Sequence, residues 1–223
     1  MQEFHKIKKL AEKPLTDDKE TKRVEIIMLK YKEEPEIIDK AISKIIHNTN
    51  WPFKLTIFDN RLNSANTSKI WNKLIKESTC DYVLIIDSDA FIPSCEPCWL
   101  TRMMETIDIT GIVIPVSSRG GGANQHVKNI EKYPSYQRNN DIWSGYCFLF
   151  KKNVIDLIGL FDERFYIYGQ DSEWAYRAKK VGGATMRKDT LVEHIGGYSF
   201  NKNPIREEDK MYARALFSYL TNL

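Results

Sequence analysis

No apolar run in this chain approaches the roughly 18 residues that a membrane-spanning helix needs. The N-terminus also lacks the apolar core of a secretory signal. These absences predict a cytoplasmic protein with no transmembrane segment, or a soluble piece of something larger. Cysteine is scarce, at four residues, and only Cys95 and Cys98 form a CxxC pair. One such pair, without a second or a histidine cluster, is weak support for zinc, and no thioredoxin-like pattern surrounds it. All four cysteines therefore read as reduced, structural thiols. The net charge of +3 is small and spread along the chain, without the concentrated basic stripe of a nucleic-acid binder. Neither GxGxxG nor GxxxxGK(S/T) occurs, so neither a dinucleotide fold nor a P-loop is indicated. Internal repeats and evident linkers are missing too.

What is present is a chain of 223 residues, enough for one domain with a sizeable core. A polar leader occupies residues 1–22, and its lysine-rich start reads as a solvated arm. Residues 23–223 read as a single domain. Val24 to Leu29 has the pattern of a strand. Pro35 then opens an amphipathic helix, with Ile37, Ile38, Ala41, Ile42, Ile45 and Ile46 on one face. Leu55 to Phe58 is a second strand, and Ile70, Trp71, Leu74 and Ile75 mark one side of a second helix. Tyr82 to Ile86 is a third strand, a short apolar run of the kind buried on both faces of a sheet. Strands alternating with helices predict an α/β fold, its central sheet mostly parallel and flanked by helices.

The third strand ends in Asp87-Ser88-Asp89. That tripeptide is good turn chemistry, but open α/β sheets bind ligands at the carboxyl edge of their strands. Two acids there, one residue apart, suit a divalent cation that carries phosphate oxygens. Tyr31 and Glu33 beyond the first strand, and Asp59 and Asn60 beyond the second, should gather in the same cleft. That is the architecture of a nucleotide site. Further on, Ile112 to Val116 reads as a strand, and Ser117 to Gly122 as either a plain connector or a loop that orders over a ligand. Tyr146 to Phe150 is another strand and Lys152 to Ile158 a short helix. Asp171 to Val181 is a helix with Trp174, Ala178 and Val181 inward, and an amphipathic helix follows Pro204.

The stretch from Asn72 to Asp89 resembles the asparagine-containing helix and DxD motif of the family-2 glycosyltransferases. Trp143 to Lys152 is similar to that family's glycine-containing strand with basic residues after it. Ile158 to Phe165 resembles its Gly-x-Phe-Asp-Glu-x-Phe segment, and Asp171 with Glu173 and Arg177 its acidic helix start. His194, Gly196, Gly197 and Ser199 resemble its closing His-x-Gly-x-Ser. The resemblance covers about residues 23–200 and implies the GT-A fold and transfer of a sugar from a nucleotide-diphosphate sugar, UDP-sugar foremost. It implies a glycan or other hydroxyl acceptor, as in polysaccharide biosynthesis, and Mn²⁺ or Mg²⁺ as cofactor. By it, Asp59 meets the base; Tyr31, Glu33, Asn60, Asn72, Ser88 and Gly145 serve the nucleotide sugar; and Asp87 faces ribose and metal. Asp89 and His194 attend the cation, and Asp171 is the catalytic base. Two departures stand out: Leu29-Lys30-Tyr31-Lys32 replaces the usual Pro-(Thr/Ser)-Tyr-Asn, and Gln170-Asp171 replaces Glu-Asp. The Gln-x-x-Arg-Trp motif of processive synthases is absent, so a non-processive hexosyltransferase is expected.

Such chemistry needs these residue types. A leaving nucleoside diphosphate gathers negative charge that a divalent cation stabilises, and an acceptor hydroxyl is a poor nucleophile until a base takes its proton. A single base opposite the leaving group implies inversion. By residue type alone, Asp171 also suits a helix N-cap, and His194 a structural histidine. Trp143, Tyr146, Tyr166, Tyr168 and Trp174 could stack on sugar faces or fill the core. Two alternatives are a sugar-nucleotide nucleotidyltransferase, which usually begins with a glycine-rich phosphate loop, and a non-catalytic glycan-binding module on a transferase scaffold.

Overall fold

The computed structural model describes residues 8–12, 22–31, 33–60, 66–119, 123–196 and 206–222. Gly120 to Gly122, and Gly197 and Ser199 of the closing motif, lie outside the described residues. After a strand β1 (Lys8–Glu12) inside the expected leader, the first half follows the expected order: β2 (Val24–Lys30), α1 (Pro35–Asn48), β3 (Phe53–Asp59), α2 (Thr67–Glu77) and β4 (Tyr82–Asp87). After it come β5 (Ala90–Phe91), α3 (Trp99–Glu105), α4 (Ile107–Thr110), β6 (Ile112–Ser117), β7 (Tyr136–Asn139) and β8 (Cys147–Lys151). The chain continues through α5 (Ile155–Ile158), α6 (Gln170–Lys180), β9 (Ala184–His194) and α7 (Arg206–Thr221).

These strands form one mixed sheet in the order β1-β3-β2-β4-β8-β6-β9-β5, with β7 on β9. Pairing is parallel within β3-β2-β4, as the alternation of strands and helices requires, and again between β6 and β9. The other pairings are antiparallel, and β8 enters between β4 and β6 running against both. Within the leader, Lys8–Glu12 adds an antiparallel edge strand to β3. No periodicity signalled it.

Alternating side chains explain the unbroken apolar runs. Ile26 and Met28 of β2, with Leu84 and Ile86 of β4, pack on the face covered by α1, α3 and α4. Ile27, Val83 and Ile85 point the other way, against α2, α5 and α6. Both faces are buried, so the buried positions of these strands are apolar but for one. Glu25 is the exception, and its Oε1 accepts from Lys54 at 2.7 Å and Thr56 at 2.5 Å. Trp174 and Ala178 are fully buried as expected, but Val181 is 53% exposed. It lies one residue past the last turn of α6, where the helical period no longer governs its direction.

Candidate active site

The cleft opens where the sheet changes direction. Because β8 runs against β4, the residues leading into β8 lie beside the end of β4, and the Asp87 N–H donates to the Tyr146 carbonyl at 2.9 Å. On the far side β5 pairs with the end of β9, placing Ala90 opposite His194, and the Ile195 N–H donates to the Asp89 carbonyl at 3.2 Å. Three chain segments distant in sequence thus meet at one point. The His194 Nε2 lies 3.2 Å from Asp89 Oδ1 and 3.5 Å from Asp87 Oδ2. The other Asp89 oxygen accepts the Gly196 N–H at 3.2 Å. Tyr146 stacks on the imidazole at 5.1 Å between ring centroids. Its own hydroxyl donates to the Pro115 carbonyl at 2.7 Å, so the stack is fixed from behind.

Charge follows from that geometry. Burial alone would lower the His194 pKa, but hydrogen bonds and charges from Asp87 and Asp89 override it and push it up to about 10. Burial raises the Asp87 carboxyl, with the bonded histidine pulling against it. The cavity leaves the Asp87 side chain 42% accessible all the same. Burial likewise raises Glu33, whose carboxylate accepts the Tyr31 N–H at 2.9 Å.

Asp171 stands in the first turn of α6, and Gly169 occupies the N-cap position with no side-chain cap. The aspartate is therefore not the cap. Its Oδ2 accepts the Gly145 N–H at 2.7 Å and its Oδ1 the Ser172 N–H at 2.7 Å. Burial raises its pKa, and these backbone donors partly oppose the rise. Gly145 is required at this approach, since a Cβ there would come within 2.6 Å of the Asp171 Cβ. Behind it, buried Gln125 takes the Ser144 N–H at 2.8 Å and donates to Tyr146 at 3.3 Å. Nothing in the sequence singled out Gln125, because its partners lie 19 and 21 residues away.

Around these groups lies a cavity of 510 Å³, within the usual size of ligand pockets. Of the candidate residues, Tyr31, Glu33, Asn60, Asp87, Ser88, Asp89, Gly145, Asp171 and His194 line it. Asp59 and Asn72 do not. Asp59 closes β3 opposite Lys30, and the following Asn60 faces the cavity instead. Asn72 spends its amide on the chain, accepting from the Phe161 N–H and donating to its carbonyl, both at 2.9 Å. Trp143 and Trp174 are core, whereas Tyr146 and Tyr168 line the cavity. Trp71, Arg119, Gly169 and Gln170 line it too, though periodicity marked Trp71 only as an inward face of α2.

No protein-family model and no curated protein matches the sequence. Among solved structures, the chain is similar to a crystal structure of GalNAc-T7 with UDP, GalNAc and Mn²⁺, at a TM-score of 0.60 and 12% identity. The match covers 79% of this chain and 44% of that one, so the chain spans less than half the neighbour's length. The fold is the GT-A glycosyltransferase fold. At this identity the likeness is one of fold, and the chemistry is read from the chain's own residues. In the GT-A frame, Asp87, Asp89 and His194 offer ligand atoms all within 4.8 Å of one another. Two carboxylates and an imidazole fit a divalent cation such as Mn²⁺ or Mg²⁺. A cation held there would displace the proton from the imidazole. Among the described residues no helix is long and apolar enough to cross a membrane.

Proposed function

We propose that the protein is a non-processive, inverting, metal-dependent glycosyltransferase, moving a sugar from a nucleotide-diphosphate sugar to a hydroxyl acceptor, a glycan foremost. The carrying observation is that the Asp87–Asp89–His194 cluster and Asp171 line one 510 Å³ cavity. The GT-A neighbour's UDP and Mn²⁺ support a UDP-sugar donor and a manganese-type ion.

Asp89, Asp87 and His194 would hold the cation, which when bound supplies Lewis-acid stabilisation to the leaving diphosphate. Tyr31, Glu33 and Asn60 form the part of the cavity beyond β2 and β3, suited to base and ribose. Asp171 accepts the proton of the acceptor hydroxyl as its oxygen attacks the anomeric carbon. The new glycosidic bond forms as the bond to the diphosphate oxygen breaks, so one displacement inverts the centre. Competing bases are already engaged. Asp162 pairs with Arg164 at 2.5 Å, Glu163 accepts from Asn72 at 3.1 Å and Glu173 pairs with Arg177 at 2.6 Å. None of the three lines the cavity.

Calorimetry with UDP, with and without Mn²⁺, tests this reading on wild type and Asp89→Ala. Metal-dependent binding should be present in the wild type and abolished in the variant, with the fold intact by circular dichroism. Undiminished metal-dependent affinity in the variant would remove Asp89 from the site.

A further inference from the structure

Four carboxylates line the cavity, and each already has a partner in the chain. Asp87 and Asp89 face His194, Glu33 accepts the Tyr31 N–H, and Asp171 accepts the Gly145 and Ser172 N–H groups. Among the described residues that line the cavity, Arg119 is the one lysine or arginine. Its guanidinium makes no hydrogen bond or ion pair among the described residues. A guanidinium beside four acids would ordinarily be drawn into a pair with one of them. Here the acids are engaged elsewhere, and its donors are left for a ligand.

The backbone fixes where this arginine stands. The ends of β6 and β9 run in parallel, with Ser117 opposite Val192. The Ser118 N–H donates to the Val192 carbonyl at 3.2 Å, and the Ser118 hydroxyl accepts the His194 N–H at 3.0 Å. The Arg119 carbonyl lies 3.3 Å from His194 Nδ1 and accepts the Ser117 hydroxyl at 2.7 Å. The side chain runs along Gly196, its Cδ 3.8 Å from the position that a Cβ there would take. Gly196 in turn donates to Asp89, so the guanidinium stem passes beside the cation cluster. Along the sheet, Tyr31, Glu33 and Asn60 follow β2 and β3, Asp87 ends β4, and Arg119 follows β6 on the far side.

We propose that Arg119 is a second anion-binding group of the cavity, taking the phosphate that bears the sugar in a nucleoside-diphosphate donor. The inference rests on the proposed function. Two carboxylates cancel the charge of one divalent cation, so the Asp87–Asp89 pair leaves a bound diphosphate with charge still unpaired. A guanidinium suits that remainder, because its planar fork matches two phosphate oxygens at once. Its place across the cluster from the nucleoside end selects the distal phosphate. A carboxylate on the transferred sugar is the other anion such a fork could take, and the test separates the two.

Calorimetry in Mn²⁺ compares UMP, UDP, UDP-glucose and UDP-glucuronic acid on wild type, Arg119→Ala and Arg119→Lys. Arg119→Ala should weaken UDP and UDP-glucose about 10- to 100-fold, the loss of a charge-assisted contact, and leave UMP as it was. Arg119→Lys should fall between, since it keeps the charge and loses the fork. Mn²⁺ affinity without nucleotide should stay at the wild-type value, because the Arg119 carbonyl beside His194 is present in every variant. Undiminished UDP affinity in Arg119→Ala overturns the proposal. So does a loss confined to UDP-glucuronic acid, which would assign the guanidinium to a sugar carboxylate. An equal loss of UMP affinity or of Mn²⁺ affinity would make the residue structural and overturn it too. A wild type that binds no UDP in Mn²⁺ is a separate result: it removes the proposed function, and this inference with it.

Discussion

Asp171 is held by two backbone N–H groups at 2.7 Å, so its position depends on the chain around Gly145 and Ser172 rather than on its own rotamer. Burial raises its pKa, which makes it a better proton acceptor than an exposed aspartate. The acid limb of kcat should therefore lie above the ordinary aspartate range of 3.8, with transfer lost below it as the carboxyl protonates. Asp171→Asn should lower transfer by roughly 10²- to 10⁴-fold, abolish that limb and leave nucleotide-sugar affinity intact. Steady-state rates across pH check all three. A near wild-type rate in the variant would reassign the base.

At the scale of elements, α2 does two jobs from two faces. Trp71 lines the cavity, while Asn72 clamps the Phe161 backbone from both ends. The motif resemblance placed Asn72 with the nucleotide sugar; the structure makes it the clasp between α2 and the segment leading to α6. Asn72→Ala leaves a buried N–H and carbonyl without partners, a loss of about 2 kcal/mol or roughly 4–8 °C in Tm. Nucleotide affinity should hold. A thermal melt beside a UDP titration separates the two effects, and a weaker UDP affinity at unchanged Tm would return Asn72 to the site. On the other side of α6, Arg177 ties Glu173 at 2.6 Å and the Leu160 carbonyl at 2.8 Å. That helix is fastened to the same segment by a second set of contacts.

Across the whole molecule, stability and the site are linked through His194. Its pKa rises from 6.5 to about 10 on folding, so its contribution is fully present below about 6.5 and lost as pH rises through about 10. In chelator, the wild-type Tm should fall across that window more steeply than the Tm of His194→Gln. Mn²⁺ should flatten the wild-type profile by replacing the proton, and proton release on binding should appear as a buffer-dependent heat. Parallel profiles for wild type and variant would refute the linkage.

The sequence alone determined the parallel core. Unbroken apolar strands alternating with amphipathic helices allow little else, and a polar residue at each strand's end marks the cleft. Asp87, Asp89, Glu33 and Asn60 were legible for that reason. The antiparallel course of β8 was not, since a strand buried on both faces carries the same apolar run in either direction. That course brings Gly145 to Asp171, and β9 brings His194 to Asp89 across 105 positions of chain, by difference of their numbers. The tertiary structure also removed Asn72 and Asp59 from the cavity wall and placed Trp71 and Gln170 on it. Local periodicity reports which side of an element is buried; only packing decides what that side is buried against.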